Sequence, residues 1–213
     1  MIFSMKFYDC KTAPSPRRAR MFIAEKGLEI ETVQVDLAAK AQFEPAFRAV
    51  NPRCTVPALA LDDGVVLCDN ASIARYLEEI CPEPPLLGRD PVEKALVAEW
   101  LARVEWEGFM GAAEALRNRS DFFKDSALTG PQPYEQIPAL AERGRQRAAA
   151  FFTVMEQRLA EANYLAGDAF SAADIAGYAF VDFAAWVKLK PEPELTHLAN
   201  WREAISKRPS ASA

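Results

Sequence analysis

Four residues, Pro82-Glu83-Pro84-Pro85, constrain this chain more than any other short stretch. A proline has no amide proton, fixes its own φ and pushes its predecessor toward extended backbone, so no helix or central strand runs through the segment. Ahead of it, short strand-like and helix-like patterns alternate. Beyond it, strand patterns stop and long helical ones take over. The 213 residues exceed the roughly 100 to 150 of a common single domain. The break divides them into a first domain at 1–81, a linker at 82–90 and an all-helical domain at 91–213.

In the first domain Lys6-Phe7-Tyr8-Asp9 reads as a strand and Thr12 to Pro16 as a turn-rich loop. Ser15 followed by Pro16 predicts a helix N-cap and first helical residue, with Ala19, Phe22 and Ile23 on one face and Gly27 as the stop. Alternation of Val33, Val35 and Leu37 predicts a second strand over 31–37, and a short helix covers 40–49. Strands at 56–61 and 65–67 flank Asp62-Asp63-Gly64, a hairpin signal. Asp69 or Asn70 then caps a helix that buries Ile73, Tyr76, Leu77 and Ile80. The order is βαβαββα, an α+β arrangement with parallel and antiparallel pairs. Helices are predicted at 91–118, 138–162, 172–188 and 194–207, the second striped by Ala148, Phe151, Phe152, Met155 and Leu159. The loop at 120–136 is longer than most, a length associated with function.

Several classes of function are disfavoured by composition. The net charge of −5, with both signs interspersed, offers no basic field for nucleic acid. No apolar run approaches the roughly 20 residues that cross a bilayer, and Met1 to Lys6 do not read as a signal peptide, so the expected location is cytoplasmic. Cys10, Cys54, Cys68 and Cys81 are far apart and His197 is the only histidine, so no metal set is expected and the thiols read as reduced.

The most specific segment is Asn51-Pro52-Arg53-Cys54-Thr55-Val56-Pro57-Ala58-Leu59, followed after a hairpin by Asp69-Asn70-Ala71-Ser72-Ile73-Ala74-Arg75-Tyr76-Leu77. Singly, Pro57 reads as an edge-strand proline and Asp69-Asn70 as a helix cap. Together and in order they resemble the glutathione transferase signature, in which N-P-x-G-x-V-P precedes E-S-x-A-I-x-x-Y-L. Phe170-Ser171-Ala172-Ala173-Asp174-Ile175 resembles the family's F-S-x-A-D-I box, whose local logic is a capping box with a hydrophobic staple and no catalytic role. The resemblance implies a thioredoxin-like first domain and an all-α second domain that contributes the electrophile site. It implies glutathione as co-substrate, with Thr55, Val56 and Pro57 against its cysteinyl backbone and Asp69 and Asn70 on its γ-glutamyl end. Gln42, with Arg53 and Lys40 as further candidates, falls near its glycine carboxylate. It also implies a homodimer and a small apolar electrophile, for which Trp106, Phe109, Met110 and Trp186 are candidate lining residues.

A transferase must supply thiolate from a thiol whose ordinary pKa is near 8.5. In many family members the donor is a Ser or Cys four residues before the first Arg of an R-R-V pattern, and Ala13 stands there. Thr12, Ser15 and Tyr8 are the nearby hydroxyls, and Ser15 is already assigned as the helix cap. The stretch Tyr8-Asp9 to Pro14-Ser15-Pro16-Arg17-Arg18-Ala19-Arg20 resembles an atypical fungal and bacterial branch that lacks the usual residue. There a water held by polar groups of the helical domain, with the first helix dipole, polarises the thiol. The corresponding candidates are Arg117, Asn118 and Ser120, where the fungal branch has histidines near the first two. The resemblance therefore implies conjugation of the glutathione thiol to apolar electrophiles, with hydroperoxide reduction as a further outcome. Two other readings remain open: a non-catalytic glutathione-binding module, and a thiol/disulfide reductase using Cys10.

Overall fold

The computed structural model describes residues 5–213; Met1 to Ser4, part of the segment read for a signal peptide, lie outside them. A four-stranded sheet is built from β1 (Lys6–Asp9), β2 (Glu31–Gln34), β3 (Ala58–Ala60) and β4 (Val66–Leu67), in the order β2-β1-β3-β4. β1 runs parallel to β2 with Phe7 opposite Thr32, and antiparallel to β3 with Phe7 opposite Leu59. The parallel crossover is α1 (Pro14–Glu25) and the β3–β4 hairpin turns at Asp62-Asp63-Gly64. α2 (Pro45–Val50) and α3 (Asn70–Ile80) complete the predicted βαβαββα order. From 81 to 90 the chain carries neither helix nor strand.

The helical domain comprises α4 (Pro91–Arg103), α5 (Met110–Arg117), α6 (Pro138–Leu159), α7 (Ala172–Ala184) and α8 (Thr196–Ser206). α7 is its axis: every residue from Ala172 to Val181 is buried. Phe180 at its centre meets Phe151 and Phe152 of α6 and Phe109. The striped face of α6 is buried as its spacing predicted. α1 packs against α7, so the helix that follows the first strand also joins the two domains.

Several boundaries differ from the sequence reading. β2 ends at Gln34, because the chain turns at Asp36, whose carboxylate accepts from the amides of Ala38 and Ala39. The helix expected over 40–49 is a 3-10 turn at Ala41–Phe43 followed by α2, with Pro45 as the new start. The helix expected over 91–118 contains a π-helical turn at Val104–Phe109. Gly108 lies in that turn, where a Cβ would come within 3.0 Å of the Phe180 ring. α7 stops at Ala184 and passes into a 3-10 turn at Ala185–Val187.

Candidate functional site

The start of α1 corrects one expectation with consequences for the site. Ser15 is not the N-cap. Pro14 suits the first helical position, so the helix begins there and Ala13 becomes the N-cap, with φ −85° and ψ 139° and no capping side chain. Pro14 and Pro16 have no N–H, and the Ala13 amide donates to Cys10 O at 2.9 Å. The amide of Ser15 is therefore a first-turn donor left open among the described residues.

Freed from capping, the Ser15 hydroxyl is held by two donors: Asn70 Nδ2 at 3.0 Å and Arg18 Nη2 at 3.2 Å. A hydroxyl oxygen accepts two hydrogen bonds and donates one. Both accepting positions are used, so its proton is left to point away from Asn70 and Arg18. Arg18 is itself fixed by an ion pair with Glu105 on the π turn and by stacking over Phe109, 4.1 Å from the ring centroid. The Asn70–Ser15 bond joins the start of α3 to the start of α1.

The signature segment forms the neighbouring wall. The Val56–Pro57 peptide is cis, and β3 begins one residue later. Val56 is half-buried, and neither its N–H nor its C=O is hydrogen-bonded among the described residues. Buried Asn51 shapes the approach: Nδ2 donates to Thr55 O at 2.8 Å and Thr55 Oγ1 at 3.1 Å, while Oδ1 accepts from the Arg53 amide at 2.9 Å. Cys54, where the family pattern has glycine, adopts φ 55°. Asp69 caps α3, Oδ1 accepting from the Ser72 amide at 2.7 Å, and its side chain is exposed. Asn70 Oδ1 and Gln42 Oε1 are buried without a hydrogen-bond partner. Burial pushes the Cys68 thiol up, Asp69 adds to this, and Arg53 opposes it.

The remaining candidates fall elsewhere. Arg117 donates to Ser126 O at 2.6 Å and Leu128 O at 2.9 Å and lies over Phe123, and burial lowers its pKa. Asn118 accepts from the Ile137 amide at 2.9 Å and donates to Glu114 O at 3.1 Å. Ser120 O accepts from Gln136 Nε2 at 2.8 Å. All three tie down the 120–137 loop. Cys10 is buried, with Sγ 3.5 Å from Thr12 Oγ1, and all four cysteines are free. Among the described residues no cluster of His, Cys, Asp or Glu could hold a metal, and no helix is long and apolar enough to cross a membrane.

Beside the start of α1 lies a cavity of about 310 Å³, floored by Thr12, Ala13 and Pro14 and walled by Phe183 and Trp186. Trp186 meets Phe183 edge to face at 5.6 Å. Of the four predicted electrophile-site residues, only Trp186 lines this cavity. Phe109 is buried and stacks on Phe183 from behind, Met110 is half-buried at the start of α5, and Trp106 is exposed on the π turn. Phe183 and Lys11 were missed, since both belong to the cavity only through the packing of α7 on α1. Pro14 was the signal that could have released Ser15 from its capping assignment.

A two-domain arrangement of this kind, with a cis proline and a capped α3 beside α1, defines a class. The chain belongs to the glutathione S-transferase family. It matches the family models described as glutathione S-transferase, N-terminal domain, over residues 12–80 and glutathione S-transferase, C-terminal domain, over residues 115–209. It is 33% identical over 215 aligned residues to Glutathione S-transferase 2 of Saccharomyces cerevisiae, covering 97% of this chain and 87% of that protein. It is 28% identical over 211 residues to Disulfide-bond oxidoreductase YfcG of Escherichia coli, covering 95% and 91%. The crystal structure of a glutathione S-transferase domain-containing protein from Marinobacter aquaeolei VT8 superposes with a TM-score of 0.89 at 32% identity, covering 96% of this chain and 98% of that one.

Proposed function

We propose that this protein is a glutathione transferase that joins the glutathione thiol to small electrophiles, with Ser15 as the group that stabilises the thiolate. The doubly accepting Ser15 hydroxyl is the observation that carries the reading. Two donors into its oxygen polarise the O–H bond and fix its direction, and a hydrogen bond to an anion is among the stronger ones available. In this reading the cysteinyl backbone of glutathione pairs with the free Val56 N–H and C=O, as an added strand would. The γ-glutamyl carboxylate sits at the start of α3, with the amide of Asn70 and the dipole behind it. The α-ammonium faces Asp69, and Gln42 takes the glycine carboxylate.

The reaction is a displacement. The thiolate sulfur forms a bond to the electrophilic carbon, the leaving group departs with its electron pair, and the thiol proton passes to solvent. Arg117 and Asn118 act one step removed, as anchors of the 120–137 loop. Burial of Cys10 favours a packed thiol there over a redox nucleophile. A homodimer belongs to the same reading.

Ser15→Ala tests it. Thiolate absorbance of bound glutathione, titrated against pH, is expected to show the thiol pKa rise by about one to two units, equivalent to roughly 1.4 to 2.7 kcal/mol. Near neutral pH, kcat/KM with a chlorodinitrobenzene falls by roughly 10- to 100-fold, and Ser15→Thr restores part of it. A Ser15→Ala protein that binds glutathione with the wild-type thiol pKa would overturn the role of Ser15.

A further inference from the structure

The cavity beside α1 has a charge character that its aromatic wall alone does not suggest. The carboxylate of Asp182 lies between two guanidiniums, with Arg17 on one oxygen at 2.5 Å and Arg202 on the other at 2.6 Å. Arg20, also on the cavity's lining, pairs with Asp9 at 2.6 Å. Lys11 completes the cationic side. Its backbone amide donates to Gln34 Oε1 and its carbonyl accepts from Arg20, but its ammonium has no carboxylate partner among the described residues. Counting side chains, four cations (Lys11, Arg17, Arg20 and Arg202) thus stand against two carboxylates (Asp9 and Asp182) at a cavity also lined by Ala211, Ser212 and Ala213, in a chain whose net charge is −5. A local field opposite in sign to the whole protein concentrates anions at that point. The facing wall, half-exposed Trp186 set edge to face on Phe183, offers a surface for a planar ring.

We infer that the electrophile accepted here is an aromatic compound bearing an anionic substituent, its ring on Trp186 and its anion on Lys11. The inference rests on the transferase reading and sharpens its second substrate from simply apolar to aromatic and acidic. For a chlorinated nitrobenzoate the C–S bond forms at the carbon that loses chloride, the thiol proton goes to solvent, and the carboxylate stays unchanged against Lys11. A neutral ring of the same size stacks on Trp186 but leaves the cation unused.

Binding of the products separates this inference from catalysis. The glutathione conjugates of 4-chloro-3,5-dinitrobenzoate and 1-chloro-2,4-dinitrobenzene are made chemically and their Kd values measured by calorimetry. In the wild-type protein the carboxylated conjugate should bind tighter by about fivefold or more, a ratio that shrinks as salt screens the contact. Lys11→Gln should bring the ratio toward one and Lys11→Glu should invert it, whereas Lys207→Gln, at the exposed residue that follows α8, keeps it. Lys11 is exposed, so these changes spare the core. Equal affinities in the wild type, or a preference that survives Lys11→Gln, would overturn the inference while turnover of either chloride still upholds the transferase. Failure of both conjugates and of glutathione to bind would overturn both.

Discussion

Asp174 has no solvent exposure, yet it organises the start of α7: its carboxylate accepts from the Leu165 amide, the Trp201 indole, and the amide and hydroxyl of Ser171. Burial pushes its pKa up to about 6 from 3.8, and those donors pull against the rise. The folded state therefore holds a proton that the unfolded chain releases at lower pH. The contribution of Asp174 to stability is greatest below pH 4, falls as pH rises toward 6 and is level above, a total of about 3 kcal/mol. Asp174→Asn removes that dependence, and it also costs roughly 1 to 3 kcal/mol because an amide cannot accept from the Ser171 N–H while its own NH2 fills that position. Urea midpoints at pH 5 and pH 7 check this: the wild type should lose about 1 to 2 kcal/mol more than the variant across the interval, and parallel losses would refute it. The capping box was legible residue by residue in Ser171 and Asp174, because it is local. Leu165 and Trp201, which join it from other elements, were not. Ser15 failed in the opposite direction: a good capping residue in isolation, it was displaced by Pro14 one position earlier and then engaged by Asn70, 55 residues away.

At the scale of elements, periodic faces were legible and ends were not. α6 buries the residues its spacing predicted, and α3 buries Ile73 and Leu77 while Tyr76 and Ile80 are only half-buried, since an amphipathic face is written in the chain itself. The π turn in the long helix leaves no such mark, because what surrounds it is a contact of Gly108 with Phe180 from a different helix. The same dependence on a partner governs the crossing of α5 and α6. A Cβ on Gly144 would lie 2.5 Å from Gly111 O and 2.6 Å from Glu114 Cβ. An exposed helical Gly→Ala change usually stabilises by about 1 kcal/mol. Here the backbone carbonyl of Gly111 cannot swing aside, so crowding decides the sign. Gly144→Ala should destabilise by roughly 1 to 3 kcal/mol in thermal or urea unfolding, whereas a stabilised variant would mean the two helices separate at little cost. The candidate site was legible where it is backbone and cap, at Val56-Pro57 and Asp69-Asn70. Its second half, the cavity of Lys11, Phe183 and Trp186, comes from residues more than 170 positions apart that meet only because α1 lies on α7.

The whole molecule is held across that same helix. α1 sends Arg17 to Asp182, Arg18 to Glu105 and Glu25 to Arg208, so three ion pairs from one element of the first domain end in the second. Just past it, fully buried Lys26 pairs with Glu78 at 2.6 Å and donates to the carbonyls of Pro82 and Pro84, clamping the linker. Glu25 is the most exacting of these: its carboxylate also accepts from Ser210, and although burial alone would raise its pKa, Arg208 and Ser210 hold it below the usual 4.5. Its contribution is thus present above pH 4.5 and lost as pH falls below that. Arg208→Ala leaves a largely buried carboxylate without its cation, at a cost of about 2 to 3 kcal/mol, less than for a fully enclosed pair because the Arg208 side chain is one-third exposed. All four tryptophans, at 100, 106, 186 and 201, belong to the helical domain, so fluorescence reports on that half while hydrogen exchange of β1 and β3 amides reports on the sheet. In the wild type the two probes should unfold together. In Arg208→Ala the sheet should open at lower urea than the tryptophans report, and adding Glu25→Gln should recover part of the loss by removing the stranded charge. Coincident probes in Arg208→Ala, with stability unchanged, would mean that the apolar contact of α1 with α7 couples the domains without help from the ion pair.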